Sequence, residues 1–118
     1  MNKHVNRGAR SFCFAFLVMG LAMISEVHAD ADLAGKIAAA DVGYGEYLAG
    51  ECVTCHQKSG VSRGIPSIAG IDAEAFVSIM NGYRDKSLEN KVMRMVAGRL
   101  DDEQIIALAA YFSKLPPQ

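Results

Sequence analysis

Cys52, Cys55 and His56 lie within five residues of one another, in the run Cys52-Val53-Thr54-Cys55-His56. Two thiols three residues apart on a helical turn point to one side. Placed so, they can form thioethers with the two vinyl groups along one edge of a haem. The histidine that follows can swing over the ring and present a neutral imidazole nitrogen to the iron, which makes C-x-x-C-H the attachment sequence of a c-type haem. The same residue types serve three other chemistries. A structural zinc site needs four ligands. A thioredoxin-type dithiol is expected beside a βαβ pattern. A plain structural disulfide leaves His56 without a purpose.

The rest of the inventory decides among these. The chain has 118 residues, room for one domain, with 51% hydrophobic residues and a net charge of −1. That balance excludes a disordered tail and a strongly basic nucleic-acid binder. The first 29 residues read as a secretory signal peptide: Lys3, Arg7 and Arg10, then an apolar run from Ser11 to Ile24, then Val27-His28-Ala29 with the small-residue spacing of a cleavage site. About 14 apolar residues fall short of the roughly 20 that span a bilayer, so the expected mature chain begins at Asp30, has no membrane span and lies in the periplasm. Cleavage would remove Cys13, His4 and His28, leaving Cys52, Cys55 and His56 as the only cysteines and histidine. No fourth zinc ligand of these types then remains, and no strand-like alternation supports a βαβ unit. The mature chain would carry nine basic and twelve acidic residues, net −3, with no tryptophan. A core that thin often depends on a disulfide, a metal or a cofactor.

The elements that must position the motif are helical. Asp30 to Asp41, rich in alanine, reads as a loosely held lead-in. A helix from about Val42 to Glu51 delivers the cysteine pair. Gln57 to Gly70, with Gly60, Gly64, Pro66 and Gly70, reads as a loop. Asp72 is a helix cap with Glu74 in the first turn, and Phe76, Ile79, Met80 and Tyr83 follow at the spacing of one buried face. Tyr83 to Asn90 is polar and turn-like, and a short helix is expected over Lys91 to Ala97. Asp101 and Gln104 have capping-box spacing. Ile105, Leu108, Ala109, Phe112 and Leu115 form the apolar stripe of a last helix, which Pro116-Pro117 stops. The expected class is all-α, four to five helices.

A haem iron bound by His56 has a second axial position, and no other histidine would remain in the mature chain to fill it. Met80, Met93 and Met95 are the mature methionines, and thioether sulfur is a known axial partner of histidine that raises the reduction potential. Met80 sits on an apolar helix face, where a core role is the simpler one. Met93 and Met95 are two residues apart, about 200° around a helix, so they cannot both coordinate one iron.

The order of motifs resembles the class I c-type cytochromes. After C-V-T-C-H come Ile65-Pro66-Ser67-Ile68-Ala69-Gly70, Tyr83-Arg84-Asp85, Val92-Met93-Arg94-Met95-Val96-Ala97, Leu100-Asp101-Asp102-Glu103 and Leu108-Ala109-Ala110-Tyr111-Phe112. Within that class the chain looks closest to the haem subunit of flavocytochrome c sulfide dehydrogenase and the related small periplasmic cytochromes. The resemblance runs from about Gly45 to Leu115. It implies a class I cytochrome c fold around one covalent haem c over 45–118, preceded by an extension over 30–44. It also implies Cys52 and Cys55 as the thioether residues, His56 and Met93 as axial ligands, and the Pro66 carbonyl as acceptor of the other imidazole N–H, which fixes the ring. Gly45 and Tyr111 match a small-residue and aromatic pair where two helices cross.

The implied role is one-electron transfer rather than catalysis, with a redox protein as partner and no nucleic acid. Three readings follow: the fixed haem subunit or acceptor of a flavoprotein that oxidises sulfide or another sulfur compound, a freely diffusing respiratory carrier, or a gas- or peroxide-binding protein whose iron lacks the methionine. The resemblance leans toward the first. Charge is unevenly placed, with residues 57–100 at net +3 between acidic segments on either side. Arg63 and Arg84 are candidates for haem propionates, and the remaining bases either steer an acidic partner or form a solvated surface with no selected partner.

Overall fold

The computed structural model describes residues 25–57 and 64–117, with the backbone alone for residues 25–30. Five helices and no strand occur among the described residues: α1 (Ser25–Ala39), α2 (Val42–Cys52), α3 (Ala73–Arg84), α4 (Lys91–Ala97) and α5 (Asp102–Ser113). The all-α expectation holds. The chain divides into a unit Met1–Ala31 and a unit Asp32–Gln118. Of the first, only the backbone that opens α1 is described, so the signal-peptide segment before Ser25 lies outside the described residues. No described helix is long and apolar enough to cross a membrane.

Each helix of the second unit starts where a side chain can satisfy its unpaired N–H groups. Asp41, Asp72 and Asn90 accept from Tyr44 N, Ala75 N and Met93 N respectively. At α5 both halves of the capping box are made: Asp101 Oδ1 accepts from Gln104 N at 2.8 Å, and Gln104 Oε1 accepts from Asp101 N at 3.0 Å. Asp101→Ala is expected to cost about 1 kcal/mol and lower the melting temperature by roughly 4–8 °C. Circular dichroism melts check this, with Asp101→Ser expected to recover most of the loss.

α5 is the spine. Ile105, Ala107, Leu108, Ala109, Ala110, Tyr111 and Phe112 are all buried, because α2 packs on one side of the helix and α3 on another. Phe112 stacks on Phe76 of α3 with ring centroids 5.7 Å apart and meets Tyr111 edge-on at 5.2 Å. Burying a side chain such as Phe112, Ile105 or Leu108 stabilises the fold by roughly 1.5–3 kcal/mol each.

Two expectations are corrected. The lead-in over Asp30 to Asp41 is mostly helix, and Leu33 and Ile37, one turn apart on α1, pack against the core. An Ala-rich stretch has the intrinsic propensity for this, and two apolar residues at i, i+4 suffice to dock it. Ile79 was expected to be buried and is 40% exposed. The buried arc of α3 is centred between Phe76 and Val77 and includes Met80, so residue 79 falls about 100° from its middle at 100° per residue.

Candidate functional site

The Cys52–His56 segment is a tightened helix end. α2 closes with Val53 N donating to Ala49 O at 3.0 Å. His56 N then donates to Cys52 O at 2.8 Å and Cys55 N to the same carbonyl at 3.2 Å. Thr54 Oγ1 donates to Gly50 O at 3.3 Å. Both cysteines are free thiols, Cys52 half-buried and Cys55 exposed. Burial first, and then the neighbouring Glu51 carboxylate, pushes the Cys52 thiol above its ordinary pKa, so it stays protonated at neutral pH.

His56 Nδ1 lies 2.7 Å from the Pro66 carbonyl oxygen. A carbonyl only accepts, so Nδ1 carries the proton, and in the neutral ring Nε2 keeps a free lone pair. Proline supplies a carbonyl from a backbone whose φ is already fixed, and neighbouring Ile68 and Ile71 pack against the core. The structure thus brings Pro66 to His56, across ten residues, in the contact the motif order implies.

The three methionines are sorted by environment. Met80 is 4% exposed within the core, Met95 is 61% exposed on the outer side of α4, and Met93 is half-buried against the core. α4 is placed by the turn before it. Arg94 donates from Nε to Leu88 O at 2.8 Å, and from Nη2 to Lys86 O at 2.8 Å and Glu89 Oε1 at 2.7 Å. Ser87 N donates to Asp85 Oδ1 at 2.8 Å, and the bonds from Ser87 hold the Asp85 carboxyl below its usual pKa. Sequence reading missed this bracing, because nothing in the spacing of Arg94 marks a side chain that reaches back to two backbone carbonyls and a carboxylate.

α4 packs on α3 and α2 packs on α5, with no close backbone approach between α2 and α4 among the described residues. The turn with His56 and the helix with Met93 therefore flank one core separately, and Cys52, Val53 and Met93 all pack at its edge. Two free thiols, an imidazole whose Nδ1 is held by a carbonyl and a half-buried thioether form a donor set that fits a covalently held haem. Among the described residues no three of His, Cys, Asp and Glu cluster as a metal site of their own, and the Asn81 side-chain oxygen is buried with no hydrogen-bond partner.

The basic segment resolves into engaged and free cations. Arg84 pairs with Asp102 and donates to Leu100 O at 3.4 Å, which gives it a structural use beside the anion-binding one expected of it. Lys86, Lys91 and Arg99 are exposed and make no ion pair among the described residues. Arg63 lies outside the described residues.

No protein-family model matches the chain. It is similar to a protein named thiosulfate dehydrogenase electron acceptor from Thiomonas intermedia (strain K12), 33% identical over 72 residues, which are 58% of this chain and 33% of that one. A protein of the same name from Stutzerimonas stutzeri (strain A1501) is 32% identical over 68 residues, 55% of this chain and 32% of that one. The match thus spans about a third of the length of these curated relatives. Over a little more than half its length, the chain is similar to proteins named as electron acceptors of thiosulfate dehydrogenase.

Proposed function

We propose that the chain is a monohaem c-type cytochrome, exported to the periplasm, that accepts single electrons from an enzyme oxidising a reduced sulfur compound. The observation that carries this reading is the 2.7 Å contact between His56 Nδ1 and the Pro66 carbonyl, made beside two free thiols at C-x-x-C spacing. Cys52 and Cys55 would anchor the haem, and His56 and Met93 would bind its iron. Bound there, the haem supplies a one-electron couple.

The protein's own residues do the rest. Pro66 holds the imidazole in one tautomer and one orientation, which raises its basicity as a ligand. Asn90 and Arg94 fix the start of α4, so Met93 is held rather than searching for its position. With His56 and Met93 both holding the iron, no position would be left for a substrate, which would suit a carrier better than an enzyme. The names of the relatives support thiosulfate as the compound oxidised upstream, while the resemblance to the haem subunit of flavocytochrome c sulfide dehydrogenase supports a flavoprotein acting on sulfide as the partner. A diffusing carrier and a fixed subunit differ in whether the cytochrome co-purifies with its donor from the native periplasm.

Stopped-flow reduction by a purified thiosulfate- or sulfide-oxidising enzyme tests the proposal. Reduction in a second-order reaction that weakens with salt is expected, and a ferric protein that neither enzyme reduces would refute it. Lys86→Glu with Lys91→Glu should slow that reduction about tenfold at low ionic strength, with the difference fading at high salt. Both side chains are exposed and make no ion pair among the described residues, so the fold should be unaffected. An unchanged rate would rule out steering by these lysines.

A further inference from the structure

We infer that the tail after α5 is a positioning element for His56, acting through Gly70 and the loop that carries Pro66. This rests on the haem reading proposed above. The loop is fixed at two points four residues apart. At one, Pro66 O accepts from His56 Nδ1 at 2.7 Å. At the other, Gly70 N donates to Phe112 O, in the last turn of α5, at 2.9 Å.

The second attachment is close-fitting. Gly70 has φ +73, a conformation costly for a side chain. A Cβ there would lie 2.7 Å from both Cα and N of Pro117 and 2.8 Å from its Cβ. Those are backbone and ring atoms, so nothing can rotate aside. Pro116 and Pro117 have φ fixed by their rings, which makes the tail a stiff stop rather than a loose end. Between the two points the loop has little slack: Ala69 N donates to Ser67 Oγ at 3.4 Å, and Ile68 and Ile71 pack against the core. A shift of Gly70 away from Pro117 therefore has one outlet, toward Pro66 and its bond to the imidazole. Gly70 and Pro117 touch neither ligand, so they are positioning residues.

The test uses the haem-loaded protein produced with its signal segment in a periplasmic host. Two quantities are read: exchange of the His56 ring N–H with solvent, by proton NMR of the reduced protein, and the reduction potential. In Gly70→Ala the ring proton should exchange at least about tenfold faster, the scale of losing one hydrogen bond. The potential should rise, because a weaker N–H to carbonyl bond makes the imidazole a poorer donor to ferric iron. Deleting residues 116–118, which leaves Gly70 and its bond to Phe112 in place, should shift both quantities the same way by less. This deletion carries the test if Gly70→Ala does not fold. Gly35→Ala on α1, where a Cβ meets nothing within 4 Å, should change neither. Wild-type exchange rates in the folded variants would overturn the inference. So would faster exchange with an unmoved potential, because the tail would then hold the loop without setting the ligand. A wild-type protein that carries no covalent haem would instead overturn the reading on which the inference stands.

Discussion

Met93→Ala is expected to abolish the weak far-red absorption band of methionine–iron coordination in the oxidised protein. It should also lower the reduction potential by on the order of 100 mV, within the roughly 0.8 V over which axial ligands tune a haem. The reason lies in where the methionines stand. Met95, 61% exposed, faces outward, and Met80, 4% exposed, is enclosed in the core. Met93 alone is half-buried at the core's edge, on a helix whose start Asn90 and Arg94 fix. Met95→Ala should therefore leave band and potential unchanged. Met80→Ala should keep the band while costing roughly 2–5 kcal/mol of stability, as large-to-small core changes do. A band that survives Met93→Ala and vanishes with Met95→Ala would transfer the role to Met95. A wild-type protein without the band would favour the open-iron, ligand-binding reading.

Gly45→Ala should be the most damaging single methyl group in the second unit. A Cβ at Gly45 would lie 2.1 Å from the Ala107 carbonyl oxygen, 2.7 Å from its carbonyl carbon and 3.0 Å from Tyr111 Cβ. The first two are backbone of α5, which is buried on nearly every side and cannot move without disturbing α3. α2 must therefore lift away from α5, loosening the Gln104 Nε2 to Tyr44 Oη bond of 3.2 Å. α2 also carries Cys52 and the turn to His56, so the harm should reach the site. A loss of roughly 3 kcal/mol is expected, at the upper end for overpacking, with the melting temperature down by roughly 12–24 °C for a domain this small. Gly50→Ala on the same helix, where a Cβ meets nothing within 4 Å, should be neutral or slightly stabilising. Equal melting temperatures for the two variants would show that the crossing is looser than its geometry.

What could be read from residues alone follows the range of the interactions. Caps and short helices are local, so Asp72, Asp101 with Gln104, and the bounds of α4 were legible from spacing, while the cap at Asn90 was not singled out. The Cys52–His56 turn was legible because its chemistry is contained in five consecutive residues. Met93 and Pro66 needed the order of motifs along the whole chain, since neither side chain marks itself. The docking of Leu33 and Ile37, the exposure of Ile79 and the reach of Arg94 were not legible. Each depends on which way a helix turns toward a neighbour distant in sequence. Ala107 and Ala110, buried in α5, lie outside the single stripe that spacing marks, because both α2 and α3 pack on this helix.

The central claim is that one haem is bonded to Cys52 and Cys55. The most direct measurement is the alkaline pyridine absorption spectrum of the denatured protein after acid–acetone extraction, with iron counted per chain. One iron per chain is expected, with a haem spectrum that stays with the polypeptide and has the position of two saturated vinyl groups, and with loss of that retention in Cys52→Ala with Cys55→Ala. Haem that extracts into the acetone, or a purified protein that carries none, would contradict it.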